Sequence, residues 1–418
     1  MRSIPTLKRV HGTGDMELLP DCSGGPAQPA VPAGRRAIRF DIRSYSSPAQ
    51  IEREWRHLEA IGTGTVFQRY DWIEPYTRHV LPFRNARAAI LLGRLNDHPA
   101  FILPLAIVRV GPARVATWIG GKHAAYNFGL WSPEAIARMK TVPRDGIVRM
   151  LGTALQDVDC AVLERMPPVH DGVAQPLAAL AGGPSSGEGY PFDLTGGFDA
   201  VLARRKGSTR KKRVRSKERR MSEVGELNYK MVQGIAEEQE ALEFFFEQKA
   251  LRLSEQGKPN GFDRPGVKDF YRDLLERSHG MSEPVLEIAS LAVGGKIRAV
   301  TGSGIRRGRV NSYFTAFALD DLAQHSPGNI LTFRHIEDCC KRGMAAYDLG
   351  IGHEDYKTHW CQEILPLDDR YAAFTPLGTA IVALTRIRES AKNRIRRNRT
   401  LWNQLKAARS YVCRRLFA

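Results

Sequence analysis

The sequence predicts a mixed α/β (α+β) protein of two domains side by side, each a mostly antiparallel sheet flanked by helices. Three observations lead there. The 418 residues, 43% hydrophobic and 26% charged, suffice for two cores of common size. Short alternating apolar runs, which suit half-buried strands, are interleaved with stretches of three-and-four-residue apolar spacing, which suit helices. The same succession of such elements then occurs twice along the chain.

Residues 1–36 contain Ser23-Gly24-Gly25-Pro26 and Val31-Pro32-Ala33-Gly34 and too little periodic apolar content to order, so they read as a disordered tail. A first domain over 37–200 opens with a strand at 37–43 and helices at 48–61 and 71–81. Strands follow at 88–95, 100–110 and 114–119, the first two joined by the turn Asn96-Asp97-His98. After residues 126–131, Ser132-Pro133 caps a helix to about 155, and a buried-looking strand at 160–165 closes the unit. Residues 201–224 read as a basic linker helix. A second domain over 225–375 repeats the order: a strand at 227–232, helices at 237–254 and 266–279, and three strands between 285 and 319. A helix from Ser326-Pro327 to 342 and a final strand at 347–350 complete it. The two hairpins superpose with Leu95 and Phe101 against Leu291 and Ile297. Residues 376–418 form a long basic helix whose stripe, Ile381, Leu384, Ile387, Ala391, Ile395, Trp402, Leu405 and Val412, is expected to pack on the domains. Its arginines, with Trp402 and Phe417, make peripheral contact with an anionic membrane the alternative.

The formal net charge of +17 is local. Arg204 to Arg220 holds eleven Lys/Arg against Glu218, and Arg386 to Ala418 holds eleven against Glu389, which leaves the body slightly acidic. That pattern predicts local attraction to anions, with a solvated linker as the default for the first segment. No apolar stretch approaches the roughly 20 residues of a spanning helix. With no apolar leader and six cysteines lacking any C-x-x-C pair, the expected setting is the cytoplasm, with a peripheral place at the inner membrane face as the alternative.

The richest chemical segment runs from Asp348 to Trp360, where a strand ends in Gly350 and Gly352 and then in ionisable and aromatic side chains. Glu354 suits acceptance of an amine proton, Tyr356 donation to a leaving group, and Lys357 the holding of an anion. Packing of the Tyr and Trp into the core, with solvated charges, is the competing reading. A second segment is Ser326-Pro327-Gly328-Asn329-Ile330, where Ser at the N-cap and Pro at N1 start a helix whose first N–H groups suit a phosphate or carbonyl. Other signals fail on spacing. His359 lies six residues after His353, not four, so a zinc-protease pair is rejected. Gly302-x-Gly304 lacks the rest of a dinucleotide fingerprint, and no Gly-x-Ser-x-Gly elbow occurs. No metal is expected.

Over about 38–410 the chain resembles the CelD/BcsL-like branch of GNAT N-acyltransferases, which are similar in layout to the tandem-GNAT Fem peptidyltransferases. The resemblance rests on Phe67-Gln68-x-x-x-Trp72, Leu91-Leu92-Gly93 with Pro104-Leu105, and Trp118-Ile119-Gly120. In the second half it rests on the basic helix after Gly207, Phe317, Ser326-Pro327-Gly328 and Asp348-x-Gly350-x-Gly352-x-Glu354-x-Tyr356-Lys357-x-x-Trp360. It implies two tandem GNAT-like domains and transfer of an acyl group from acyl-CoA, such as acetyl-CoA, to an amine. The CoA pyrophosphate would lie over the helix from Ser326, with Ser326, Gly328, Asn329 and Ile330 around it. The family's Gln/Arg-x-x-Gly-x-Gly/Ala pattern keeps Gly328 here and has His325 and Ile330 at its other places.

The expected roles are Glu354 as base, Tyr356 as acid, Gly328 and Asn329 as N–H donors, Lys357 as anion holder and Asp348 as support for the loop. The resemblance implies a small-molecule, glycan or peptide amine as acceptor, from envelope or polysaccharide metabolism. Two alternatives stand beside this reading. One is a Fem-like transferase using aminoacyl-tRNA, the only case that calls for nucleic acid. The other is a non-catalytic scaffold of a polysaccharide synthesis complex.

Overall fold

The structure is a computed structural model that describes residues 40–204, 207–352, 354–361 and 363–397. The expected tail at 1–36, His353 and the end of the C-terminal helix lie outside the described residues. The first half of the chain forms β1 (Asp41–Tyr45), α1 (Glu52–Ile61), α2 (Tyr70–Pro75), β2 (Ala86–Leu95), β3 (His98–Val110), β4 (Ala113–Trp118), β5 (Leu130–Trp131), α3 (Pro133–Met139), α4 (Arg144–Ala154) and β6 (Cys160–Met166). A small hairpin, β7 (Val169–His170) with β8 (Val173–Ala174), leads to β9 (Ala181–Gly189), β10 (Pro191–Asp193), α5 (Gly197–Ala203) and α6 (Gly207–Ser222). The second half forms β11 (Leu227–Met231), α7 (Ile235–Glu255), α8 (Val267–Ser278), β12 (Glu287–Val293), β13 (Lys296–Arg306), β14 (Arg309–Phe317), α9 (Pro327–Lys341), β15 (Ala346–Asp348), α10 (Asp355–Thr358), β16 (Leu365–Ala373) and α11 (Pro376–Arg397).

These strands make two mixed sheets flanked by helices. The larger runs β1-β2-β3-β4-β6-β16-β9, with β5 on β3, and the smaller runs β10-β15-β14-β13-β12-β11. Each contains four successive antiparallel strands followed by a parallel neighbour: β4 beside β6 in one, β14 beside β15 in the other. The hairpins correspond through their turns. Asn96 and Asp97 (φ 50 and 65°) join β2 to β3, and Gly294 and Gly295 (φ 57 and 75°) join β12 to β13, all in the left-handed conformation that two-residue hairpins favour. That alignment sets Leu95 against Val293, two residues from the expected partner Leu291. The side-chain period of two hides such a slip, because it keeps every residue on its face.

Several elements depart from expectation. The helix expected from 133 to 155 is two helices, because Pro143 stands at the start of α4; Ser132 does cap α3, accepting from the Ala135 N–H at 3.1 Å. The strand at Ala346–Asp348 is not the last. β16 follows and leaves the second sheet to lie between β6 and β9 in the first, while β10 crosses the other way to pair with β15. The sheets therefore do not follow the expected 37–200 and 225–375 division. Pro366, Asp368, Asp369 and Arg370 disguise β16, and four glycines with Pro184 disguise β9.

The stretch between the two sheets is a packed layer. Ile90, Leu92 and Ile102 of the first sheet share one core with Phe245, Phe246, Phe270, Tyr271 and Phe314 of the second half. Trp72 meets Phe270 at 5.2 Å and Phe67 meets Tyr313 at 5.3 Å between ring centroids. Polar clamps close the layer. Arg306, at the end of β13, donates from Nε to the Gly64 carbonyl at 2.8 Å, and also to the Glu59 carbonyl at 3.2 Å.

Candidate active site

The site grows from the divergence of β14 and β15. Their parallel pairing spans three positions and ends at Asn311 opposite Asp348, after which β14 continues to Phe317. The chain after β15 turns aside at Gly350, whose φ of +69° is a glycine conformation. Asp348 is buried at this fork. Its Oδ1 accepts from the Gly350 N–H and from the Tyr126 hydroxyl, both at 2.8 Å. Burial raises its pKa above the ordinary carboxylate value, against the lowering influence of those two donors. Tyr126 is itself held through its carbonyl, which accepts from Gln68 Nε2 at 3.2 Å, and Gln68 Oε1 accepts from Thr65 Oγ1 at 2.7 Å.

Beyond Gly352 the chain delivers three of the expected residues. Glu354 keeps 53% of its side chain exposed and forms an ion pair, Oε2 to Lys357 Nζ, at 3.0 Å. Burial disfavours its charge, but Lys357 and, more weakly, Lys249 outweigh that, so its pKa lies below the usual value. Lys357 is placed differently from expectation. Its side chain is only 5% exposed, and the ammonium donates to the Ile351 carbonyl at 3.0 Å and faces the Tyr190 ring at 5.6 Å. It braces Glu354 instead of standing open to a substrate anion. Tyr356 is half-buried against the second-half core, and burial together with Glu354 keeps its phenol protonated well beyond the ordinary range.

The start of α9 also departs from expectation. Ser326 has left-handed φ and ψ of 57 and 60° and makes no side-chain cap; its Oγ accepts from Lys217 Nζ of α6 at 2.8 Å. The N–H groups of Asn329 and Ile330 both donate to the Ser326 carbonyl, at 3.0 and 3.3 Å, so neither is free to cradle a phosphate. Ile330 is core. Among the described residues the Gly328 N–H has no backbone partner. A Cβ at 328 would lie 3.2 Å from the Phe317 ring, so the helix start closes tightly on the end of β14.

What links the two groups comes from α7, which sequence reasoning did not single out. Arg252 lies over the Phe317 ring at 5.0 Å and acts electrostatically on Tyr356. Lys249, one turn earlier, feels Glu354 and Lys357; burial, with Arg252, lowers its pKa while Glu354 opposes. The three-residue spacing of two cations on an otherwise acidic and apolar helix is the signal for them. Two surface hollows among the described residues lie elsewhere. One of about 430 Å³ is lined by Tyr371, Arg386 and Arg394 among others, and one of about 220 Å³ by Phe192, Arg204 and Trp360 among others. No group of three His, Cys, Asp or Glu among the described residues is arranged to hold a metal ion.

Residues 208–358 match the acetyltransferase (GNAT) domain family, a span holding α6, α9 and the loop through Lys357. FemX is similar in structure at 10% identity, covering 82% of this chain and 99% of that one with a TM-score of 0.54. A conserved protein of unknown function from Bacteroides thetaiotaomicron is similar at 11% identity, covering 80% and 100% with a TM-score of 0.50. A tandem GNAT protein from the clavulanic acid biosynthesis pathway aligns at 13% identity over 81% and 99% with a TM-score of 0.45. No curated protein sequence matches. The chain thus contains a GNAT acetyltransferase domain within a mixed α/β fold of GNAT-like domains.

Proposed function

We propose that the second domain is an N-acyltransferase of the CelD/BcsL-like kind, moving an acyl group from acyl-CoA, acetyl-CoA being the simplest, to an amine of envelope or polysaccharide metabolism on the cytoplasmic side. The observation that carries this is the pairing of a half-exposed, ionised Glu354 with a protonated Tyr356 two residues on. Acyl-CoA supplies a thioester, an acyl group already activated for attack. Glu354, directly or through a water, takes the proton from the amine as the C–N bond forms. Tyr356 gives its proton to the sulfur as the C–S bond breaks, and recovers one from solvent. Lys357 and Gly352 set the position of Glu354, and Asp348 anchors the fork from which the loop starts.

The α9 start fits a phosphate in part: the Gly328 N–H and the Lys217 ammonium are suited to it, while the next two N–H groups are committed to Ser326. A single phosphate contact there is consistent with a weak acyl-CoA site. One observation favours aminoacyl-tRNA as the donor instead. α6 buries Val214, Glu218 and Met221 against its neighbours and exposes Lys212, Arg213, Arg215, Arg219 and Arg220, so it is a docked helix with a cationic outer face and not a solvated linker.

Thermal unfolding with acetyl-CoA, longer acyl-CoAs or tRNA distinguishes the donors, because a ligand at about 100 times its Kd stabilises by about 2.7 kcal/mol. Acyl transfer by the wild type and its loss in Glu354→Gln support the reading. A folded Glu354→Gln protein with full activity removes Glu354 as base, and no response to any donor leaves a scaffold.

A further inference from the structure

The outward face of α11 is apolar where a helix facing water is normally polar. The inner face is conventional: Ile381 and Val382 pack on Val115, Cys160, Val162 and Tyr371 of the first sheet. Leu384 and Ile387, expected from the sequence to pack inward with them, point the other way and are 63% and 66% exposed. With Leu377, Ala380 and Ala391, also exposed, they recur at steps of three and four residues and form one stripe along the helix. Arg388 flanks one side of this stripe and Arg394 the other, and Arg386 stands beyond it; all three are exposed.

We propose that this face is a docking surface for an anionic lipid bilayer, with α11 lying in the interface plane. Charge selects the occupant. α11 contains six Lys/Arg and a single acid, Glu389, which is buried and paired with Arg388 and Lys392. The sequence after Glu389 has no Asp or Glu at all. A second copy of the chain would bring two cationic faces together, whereas acidic headgroups complement both flanks and leave the acyl region for Leu384 and Ile387. No helix among the described residues is long and apolar enough to cross a membrane, so the contact is lateral.

The test is flotation of the full chain with vesicles of phosphatidylcholine alone or with about 30 mol% phosphatidylglycerol. The protein is expected to float with the anionic vesicles only. Leu384→Ser with Ile387→Ser should lower partitioning about tenfold or more, by removing apolar area without altering charge. Arg386→Gln, Arg388→Gln and Arg394→Gln together should lower it about a hundredfold. Leu384 and Ile387 are exposed, so the serine pair should melt like the wild type by circular dichroism; Arg388 pairs with buried Glu389, so the arginine variant is compared at a temperature where its own melt shows it folded. Absence of flotation overturns the proposal, as does binding that survives both sets of substitutions. Full retention by the serine pair alone reduces the contact to charge adsorption and also overturns it. A concentration-dependent dimer that the serine pair dissolves assigns the face to a second copy.

Discussion

The Tyr126 hydroxyl donates to Asp348 Oδ1 across 2.8 Å, joining the loop after β4 to the end of β15, 222 residues later in the chain. This bond lies where β14 and β15 part, so the first half of the chain helps position the loop that carries Glu354. Tyr126→Phe removes an influence that lowers the pKa of buried Asp348, which then rises further above its unfolded value of about 3.9. A carboxyl with a raised folded pKa loses stability as pH climbs from the unfolded value toward the folded one. The Tyr126→Phe deficit should therefore be larger at neutral pH, about 1–3 kcal/mol, than near pH 4. Urea unfolding at both pH values measures it, and an equal deficit contradicts the account.

Lys357 tunes Glu354. Its ammonium, 3.0 Å from Oε2, is the chief influence that lowers the Glu354 pKa against burial. Lys357→Met should let that pKa rise, shifting the acid limb of the kcat/KM profile to higher pH while the alkaline limb stays. An unmoved acid limb shows that Glu354 is not the base.

Gly352 makes room for the base. Its φ is +136°, and a Cβ there would lie 2.5 Å from Glu354 Oε2. Gly352→Ala should strain the loop by about 1–2 kcal/mol and displace the carboxylate. Transfer rates are expected to fall by about 10²-fold with a nearly unchanged melting temperature. A large loss of stability without a change in rate argues that the loop is structural.

The clamp at Arg306 tests the joint between the sheets. Its guanidinium is buried and donates to the carbonyls of Gly64 and Glu59. Arg306→Met strands these acceptors and should cost about 3 kcal/mol. Because the two halves share one aromatic core, loss should appear as one lowered unfolding transition in calorimetry, not as two separated ones.

Much of the fold was legible because strong periodicity survives local exceptions. β2, β3 and β4 alternate or run apolar, and α9 starts at the expected Pro327. What sequence could not show was exchange between the halves. Nothing in Pro191-Phe192-Asp193 or in charged β16 states which sheet it joins, since pairing partners are a long-range choice. The outward turn of Leu384 and Ile387 was hidden for a related reason: a helical stripe says that a face exists, not what covers it.

At the candidate site, the Asp348 to Lys357 loop was readable from its dense chemistry, and within it Asp348 accepts from the Gly350 N–H. The contributions of Tyr126, Lys249 and Arg252 were not readable, because they approach from distant segments. The buried state of Lys357 and the committed N–H groups of Asn329 and Ile330 likewise depend on tertiary packing.

Hydrogen exchange with and without acetyl-CoA tests most directly whether the α9 start and the Glu354 loop serve one acyl donor. The account predicts that amides in residues 317–330 and 350–358 slow together on adding acetyl-CoA, and that Glu354→Gln keeps this protection while losing transfer. Slowing of neither segment, or of only one of them, would contradict a shared site.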